Sequence, residues 1–399
     1  NGGPITAFQT AGEEIIQVAK YDMQGIPRAD ESETRVDAGA YAYQGGNMKM
    51  PNNESEIVRR IFVSTGTRVS LTAGSDESDY LGRSFHTSLT HLDDALAYIK
   101  QVRELESGKY SDIPFEIWIS QGTYKPTYRR TDANTETIDQ RQNSFVIPDN
   151  VKLFGGFTGD ENYAYGIETI PATGTANGIT VENINDNSKV TAKLNARDLG
   201  DQNSNNLLEP WELANQTILS GKVNVSSTVK NVYHVLYSSA TATTATGVTL
   251  DGLTVQDGET LNEIKITTSE TGNHTSNEVG FGGGIYSNNV PYTLVRCRLL
   301  NNKAMRGGAI YVRNATLKLF GTILSGNGTV DNPIGTEEPR GGAVTVIATG
   351  GGNPQAALYA ANTLWANNES EGYGGALSVY GNTTVNLINN TIVRNKAAD

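Results

Sequence analysis

The stretch GGGIYSNNVPYTLVRCRLLNNKAM, residues 282–305, opens a pattern that the chain repeats. Each copy begins with Gly-Gly, a small residue and an aliphatic residue, and the copies start at Gly282, Gly307, Gly341 and Gly374. A second block follows each start: CRLLNN (297–302), TILSGN (322–327), TLWANN (363–368) and TIVRNK (391–396). A repeated core that is interrupted by polar inserts of variable length predicts a solenoid.

The segments inside each copy are short, β-branched and alternating, as in AIYVR and ATLKLFG, and this predicts strands. A Gly pair permits a sharp corner with positive φ and a close backbone approach. A recurring Asn tolerates the left-handed conformation, and its amide can stack on the Asn of the next coil. Ile, Leu and Val then point inward and stack. The sequence therefore predicts an all-β fold, a parallel β-helix with regular coils over about 247–399.

The region before the repeats carries further strand-like segments, namely RIFVS (60–64), FEIWIS (115–120), SFVIP (144–148), VKLFGGF (151–157), QTILSG (216–221), VYHVLY (232–237) and GVTLDGLTV (247–255). Residues 88–106 instead place Leu and Ile near helical spacing, with Thr90 and Asp93 suited to an N-terminal cap. We expect this helix to cover the open end of the first coil. Residues 157–215 are expected to form a long loop insertion.

The motifs FEIWISQGTYKPT, VKLFGGFTGDE, QTILSG, YHVL, VTLDGLTV and GGGIY occur in this order. In this, residues 60–399 resemble bacterial right-handed parallel β-helix surface proteins, similar to chlamydial polymorphic outer-membrane proteins and the choice-of-anchor Q group. The resemblance implies a right-handed coil at the outer surface of a Gram-negative bacterium or outside it. Residues 1–46 look like the closing end of a preceding β-helix, and 47–399 like a β-helix truncated at its C-terminus. The alternative is that residues 1–46 belong to this domain as an extra sheet or cap. We therefore expect a longer chain with tandem β-helices.

Composition excludes several classes of protein. The net charge is −12, which argues against a nucleic-acid partner because phosphate binding needs a basic surface. The charge is uneven, since residues 280–399 hold 9 basic and 6 acidic side chains. The sequence contains no run of 18 apolar residues, so it predicts no transmembrane helix. A single cysteine, Cys297, excludes an internal disulfide framework, and its place in the repeat, shared with Thr322, Thr363 and Thr391, predicts a structural role.

The segment DQNSNNLLEPWE, residues 201–212, matches the spacing of a calcium-binding loop. The ligand positions fall on Asp201, Asn203, Asn205, the backbone carbonyl of Leu207, and Glu212. Asn206 replaces the expected Gly, and Asn tolerates the same left-handed conformation. The sequence predicts a structural Ca²⁺ site here. The alternative interpretation is an Asn-rich loop before a short helix.

Other residues suggest contact with a ligand. Arg296, Arg298, Arg306 and Arg313 lie on neighbouring coils and could form a cleft for an anionic glycan, or a solvated strand face. Tyr286 and Tyr311 hold equivalent positions one coil apart and are predicted to stack, either as packing or as a platform for sugars. Our predicted binding residues are Arg296, Arg298, Arg313, Tyr286 and Tyr311.

The sequence favours a non-catalytic function. A glycoside hydrolase requires a pair of carboxylates on one strand face. In the regular coils the acidic residues instead fall in inserts or at the end of the chain. We therefore expect a structural or adhesin-type surface protein that displays loops to a polysaccharide, a cell-surface glycan or a protein. The alternative is a carbohydrate-active enzyme, a lyase or hydrolase, that uses Asp198, Asp201 and the arginines.

Overall fold

A computed structural model describes the backbone of residues 5–11 and 14–19, and residues 48–127, 141, 143–185, 187–197, 209–225, 228–241, 245–260, 280–330, 338–349 and 356–398. The chain divides into two compact units, residues 1–47 and 48–399. In the first unit, Ile5–Ala11 pairs with Glu14–Ala19 as an antiparallel pair of strands.

The described part of the second unit is mostly strand and is built on long parallel sheets. Sheet 1 contains, in spatial order, the strands Arg60–Val63, Phe115–Ser120, Val151–Phe157, Val248–Asp251, Tyr292–Val295, Thr316–Phe320, Ala356–Ala361 and Thr383–Ile388. Sheet 2 contains Gly122–Tyr124, Thr217–Ser220, Leu253–Gln256, Arg298–Leu300, Ile323–Ser325, Leu364–Ala366 and Thr391–Val393. The two sheets begin well before residue 247, so the stacked array reaches upstream of the region in which the Gly-Gly pattern is visible.

Two further parallel sheets complete the array. Sheet 3 contains Phe145–Val146, Leu236–Ser239, Ile285–Asn288, Ile310–Arg313, Val344–Ile347 and Leu377–Tyr380. Sheet 4 contains Lys303–Ala304, Gly328–Thr329, Glu369–Ser370 and Lys396–Ala397. From residue 285 onward the chain visits sheets 3, 1, 2 and 4 in turn and then returns to sheet 3. Each strand pairs in parallel with its counterpart in the next repeat, which is compatible with the predicted parallel β-helix.

The Gly pairs form the corner that the sequence predicts. The first glycine of each pair has a positive φ, between 61° and 69°, in Gly282, Gly307, Gly341 and Gly374. The second glycine is needed for close approach, because a Cβ on Gly308 would overlap the carbonyl oxygens of Gly328 and Gly342. Both predicted reasons for glycine, conformation and contact, are confirmed.

Asparagine amides connect one repeat to the next, as the sequence predicts, but these asparagines lack the left-handed conformation that it also predicts, which Asn301 and Asn367 adopt instead. The Oδ1 atom of Asn327 accepts hydrogen bonds from the backbone N and Nδ2 of Asn302, at 3.0 and 3.2 Å. Asn368 does the same for Asn327, and Asn395 does the same for Asn368. We call Asn302, Asn327, Asn368 and Asn395 the asparagine ladder. Its amides stabilise the corner because buried polar groups must be hydrogen-bonded.

The ladder corrects one predicted alignment. Leu364 pairs with Thr391, so Asn390, and not Thr391, takes the place of Thr363 in the last repeat. Asn390 there accepts a hydrogen bond from the backbone N of Thr363 and donates to the Ala360 carbonyl. Asn390 lies five residues before the ladder residue Asn395, as Thr363 lies five residues before Asn368. The ladder asparagine therefore aligns the repeats correctly, whereas Thr391 does not.

Alternating aliphatic side chains fill the space between the sheets. Leu250, Leu294 and Leu319 pair across adjacent strands of sheet 1 and are fully buried. Each such side chain contributes about 1.5–3 kcal/mol by leaving water. This column continues through Ala360 to Leu387, which is exposed because Thr383–Ile388 is the edge strand.

The predicted helix is present and shorter than its pattern. Helix α1 spans Leu92–Glu104 and packs on the first strands of sheets 1 and 3. Its N-cap residue is His91 without a side-chain cap, so the prediction of Thr90 and Asp93 as a cap is wrong. The Asp93 carboxylate instead accepts hydrogen bonds from the backbone N and hydroxyl of Thr127, at 2.7 and 2.6 Å. A tertiary contact has taken the place of the local one.

The insertion after Phe157 is more ordered than a loop. It holds helix α2, Asn187–Asn195, and the short strands Tyr163–Ala164, Thr169–Ile170, Ile179–Thr180 and Glu182–Asn183. Its Tyr163 joins a cluster of aromatic rings on the outer face of sheet 1, where Trp118 stacks on Phe157 with centroids 4.8 Å apart. Aromatic packing therefore holds the insertion on sheet 1.

The remaining regular elements are short. Lys222–Val225 and Thr228–Asn231 form an antiparallel pair. Single 3₁₀ turns lie at Glu54–Glu56, Glu77–Asp79, Phe85–Thr87, Leu105–Gly108 and Pro210–Glu212. Neither helix in the described ranges has the length and apolar character needed to cross a bilayer.

A buried carboxyl in α1 predicts a pH-dependent stability. Burial raises the pKa of Asp94 to about 7, and its Oδ2 atom has no hydrogen-bond partner. Since this pKa lies above that of the unfolded chain, the stabilising protonated form is lost as the pH rises from about 4 through 7. We expect Asp94→Asn to be about 2 kcal/mol more stable than wild type at pH 8 and to match it at pH 4. Urea unfolding at both pH values measures this.

The control is Asp112→Asn, which changes an exposed carboxylate. It should keep the pH dependence of the wild type. Equal pH slopes for wild type and Asp94→Asn would contradict the assignment.

Candidate binding groove and the predicted site residues

A groove of about 660 Å³ lies on the outer face of sheet 1. It crosses the strands Tyr292–Val295, Thr316–Phe320, Ala356–Ala361 and Thr383–Ile388. Successive side chains of a strand point to opposite faces, so the residues that alternate with the buried core positions form the groove surface. The parallel register places these outward residues in rows that run across the strands.

One row is polar. Thr293, Lys318, Tyr359 and Asn386 are direct partners on consecutive strands, and all four line the groove. The Tyr359 side chain is 38% exposed. Within the described residues, Lys318 makes no hydrogen bond or ion pair, so its ammonium group faces solvent in the groove.

The next row is apolar. Phe320 pairs with Ala361, and Ala361 pairs with Ile388. Phe320 and Ile388 are 40% and 53% exposed, and the small side chain of Ala361 lies between them. The groove is concave here because a methyl group separates two large side chains. Exposed aromatic and aliphatic groups beside hydrogen-bonding groups are the usual lining of a ligand site.

The predicted tyrosine stack exists, and it is buried. Tyr237, Tyr286 and Tyr311 stack along sheet 3, with centroid separations of 5.2 and 5.7 Å. Phe281 then stacks on Tyr311 at 4.8 Å. Tyr286 and Tyr311 are 1% and 3% exposed. The stack therefore packs the repeats together, and it offers no open ring face to a sugar.

Arg296 is buried in an ion-pair network. Its Nη2 and Nε atoms donate to Asp251 Oδ1 at 2.9 and 3.1 Å, and Arg197 Nη2 lies 3.1 Å from Asp251 Oδ2. Arg197 belongs to the insertion and Asp251 to sheet 1, so this carboxylate connects the two. Charged hydrogen bonds of this kind are strong and directional. The network holds Arg296 inside the fold. The sequence instead predicts that Arg296 lines a glycan cleft on the surface.

The other predicted arginines lie on separate sheets. Arg298 is half-buried on sheet 2, where burial lowers its pKa. Arg313 is on sheet 3, and its Nε donates to the Thr349 hydroxyl at 2.8 Å. Arg306 lies over the ring of Phe281. The structure does not bring these side chains and Arg296 together on one face, and a role of Arg298 and Arg313 in binding stays a prediction.

Of the five predicted calcium ligands, only Glu212 lies within the described residues. Asp201, Asn203, Asn205 and Leu207 lie outside the described residues. Glu212 is buried, and its carboxylate accepts a hydrogen bond from the backbone N of Glu209 at 3.1 Å, as part of a capping box. In the ranges that the structure describes, no three His, Cys, Asp or Glu side chains cluster as metal ligands. The Ca²⁺ site stays a prediction.

The carboxylate of Asp257, directly after the sheet 2 strand Leu253–Gln256, also forms contacts within the fold. Asp257 has a left-handed backbone and accepts hydrogen bonds from the Ser220 hydroxyl and Gln256 Nε2. Lys222 Nζ lies 3.6 Å from it. Asp198, which the enzyme alternative uses with Asp201, lies outside the described residues.

The single cysteine is structural in the manner predicted. The Cys297 thiol lies 3.3 Å from the Val295 carbonyl oxygen, as the Thr322 hydroxyl lies 3.3 Å from that of Phe320. Burial raises the pKa of Cys297 to about 12. Because the thiolate is the reactive form, we expect less than about 5% alkylation of the native protein by maleimide at pH 7, and full reaction in urea. Rapid native alkylation, followed by mass spectrometry, would contradict the buried assignment.

Sequence reasoning missed Lys318, Phe320, Tyr359 and Asn386. Alternation identifies the outward positions of ATLKLFG and of the strand that contains Tyr359. It does not show which outward face another element covers, as Phe281 covers Tyr311 on sheet 3. A useful signal was the small Ala361 at the outward position between two large residues in the neighbouring repeats.

No family model, curated protein or solved structure matches the chain. The resemblance to β-helix surface proteins therefore rests on the sequence motifs alone.

Proposed function

We propose that the chain is a non-catalytic right-handed parallel β-helix of the adhesin type, secreted or held at the outer surface of a Gram-negative bacterium. In this proposal it belongs to a longer protein with tandem β-helices. The stacked repeats form a stiff support, and their outer faces and inserted loops contact a glycan or a protein on a cell surface. Ca²⁺ bound by residues 201–212 would stabilise the insertion.

The observation that carries this proposal is the composition of the groove on sheet 1. Among the described residues that line it, there is no carboxylate, imidazole or thiol. These groups supply most of the general acids, bases and nucleophiles of enzymes. The groove instead offers aromatic, amide, hydroxyl and ammonium groups, which suit binding.

The contacts between repeats support a scaffold. The asparagine ladder and the tyrosine stack place polar and aromatic side chains between repeats. Both devices stiffen the array along its length, because each repeat contacts mainly its neighbours. A stiff support with a preformed surface loses little conformational entropy when it binds.

A polysaccharide panel tests the absence of catalysis. The protein is incubated with acidic and neutral polysaccharides in millimolar calcium, and new reducing ends and the ultraviolet absorbance of unsaturated products are recorded. We expect no product above the buffer control, while a known lyase run in parallel gives both signals. Turnover of any member would contradict the proposal and favour the carbohydrate-active enzyme that the sequence leaves as the alternative.

A further inference from the structure

We propose that the groove on sheet 1 binds an acidic polysaccharide, with sugar rings against Phe320 and Tyr359 and a carboxylate of the ligand beside Lys318. This inference rests on the proposed binding function and adds its site and its ligand class. The loops between the repeats are not needed for it.

The apolar row provides the surface for sugar rings. The exposed side chains of Phe320 and Ile388 stand on either side of Ala361, two strand spacings apart. Since neighbouring strands lie about 4.8 Å apart, the backbones that carry Phe320 and Ile388 are about 10 Å apart. The narrower space between their side chains, above Ala361, can hold a sugar ring. A pyranose ring has an apolar C–H face that packs on such groups, and its hydroxyl groups stay at the edge.

The polar row lies where those hydroxyl groups would be. Tyr359, on the strand between Thr316–Phe320 and Thr383–Ile388, has Lys318 on one side and Asn386 on the other. Asn supplies both donors and acceptors, and Tyr presents an apolar ring with a polar end. The two rows together form an amphipathic surface, which matches a sugar better than it matches a purely apolar partner.

The charge of Lys318 selects an acidic ligand. Its ammonium group has no carboxylate partner in the described residues, and no acidic side chain lines the groove. Bringing a neutral ligand over this group would cost desolvation without a compensating charge. A nucleic acid also carries negative charge, but the net charge of −12 opposes its long, highly charged backbone. A polysaccharide with spaced carboxylates fits one isolated cation.

The test is binding by the full chain to immobilised polygalacturonate and alginate, with dextran as the neutral comparison, at low and high salt. The groove variants are Tyr359→Ala and Lys318→Gln. The matched controls are Tyr380→Ala, an exposed tyrosine on sheet 3, and Lys303→Gln, an exposed lysine on sheet 4. All four changes are at exposed positions, and melting temperatures verify that each variant is folded.

We expect wild type to prefer an acidic polysaccharide over dextran. Tyr359→Ala should raise Kd by about tenfold or more, as truncation of a central aromatic contact does. Lys318→Gln should raise Kd about threefold at low salt and remove part of the salt dependence. The two controls should stay within about twofold of wild type.

Two results would contradict the groove as the binding site without contradicting the proposed function. One is acidic-polysaccharide binding that all four variants keep, which would place the site elsewhere on the chain. The other is no binding to either acidic polysaccharide by a protein that shows no turnover and still adheres to cells. Equal binding of dextran that is insensitive to Lys318→Gln would overturn the acidic ligand class. Cleavage of the polysaccharide would instead contradict the proposed function.

Discussion

Replacing Asn327 by alanine is expected to lower the free energy of unfolding by about 4 kcal/mol. Asn327 is fully buried in the middle of the asparagine ladder. Its Oδ1 accepts the backbone N of Asn302, and its Nδ2 donates to the Leu299 carbonyl at 2.9 Å. Alanine would leave the backbone N of Asn302 without this acceptor, and a buried group without a partner costs about 1–3 kcal/mol. It would also remove the hydrogen bonds of Asn327 to the Leu299 carbonyl and to the side-chain amides of Asn302 and Asn368. The midpoint of urea unfolding measures the loss.

The matched control is Asn382→Ala, which removes an exposed asparagine side chain. It should change stability by less than about 0.5 kcal/mol. If both variants unfold at the urea concentration of the wild type, the ladder does not hold the repeats together as described.

Replacing Gly308 by alanine is expected to cost about 4 kcal/mol or more, or to prevent folding. The new Cβ would overlap the carbonyl oxygens of Gly328 and Gly342, which belong to two different corners. Backbone atoms in stacked strands cannot move without breaking the parallel ladder on both sides. Thermal unfolding and soluble yield both report the effect.

Gly328→Ala is the control for this change. Gly328 is also buried, but a Cβ there would lie 3.5 Å from the Glu369 carbonyl oxygen, which is an ordinary contact. We expect a change within about 1 kcal/mol of wild type. Similar losses in Gly308→Ala and Gly328→Ala would mean that close approach is not why the pair is glycine.

Local requirements made the repeat predictable. A corner with positive φ favours Gly or Asn, although Asp257 and Arg296 also adopt it. A buried corner amide needs a partner in the next repeat, so Gly307 and Asn327 reveal their roles without any knowledge of the fold. The parallel sheets follow, because residues with the same requirement recur in the same order. The right-handed coil and the family are not carried by such arguments and stay proposals.

Tertiary context decided the features that the sequence did not predict. The Asp93 carboxylate accepts a hydrogen bond from the backbone N of Thr127, so α1 begins without the expected cap. Arg296 is attractive as a surface cation in the sequence, yet Asp251 holds it inside the fold. In each case the deciding partner is distant along the chain, and spacing alone gives no sign of it.

The same limit explains the difference between the predicted and observed surfaces. Tyr286 and Tyr359 both lie on strands and both follow the alternating pattern. Neighbouring aromatic rings cover Tyr286, whereas Tyr359 is 38% exposed. The binding surface that we propose is therefore the groove of sheet 1 and not the tyrosine stack of sheet 3.

The most direct test of binding without catalysis is to measure the chain length of a polysaccharide ligand after it has bound. The protein is mixed with size-selected polygalacturonate, the complex is isolated by size-exclusion chromatography, and the polysaccharide is recovered and sized. We predict that polysaccharide elutes with the protein and is recovered at its original length. Shortened chains in the recovered complex would contradict the account.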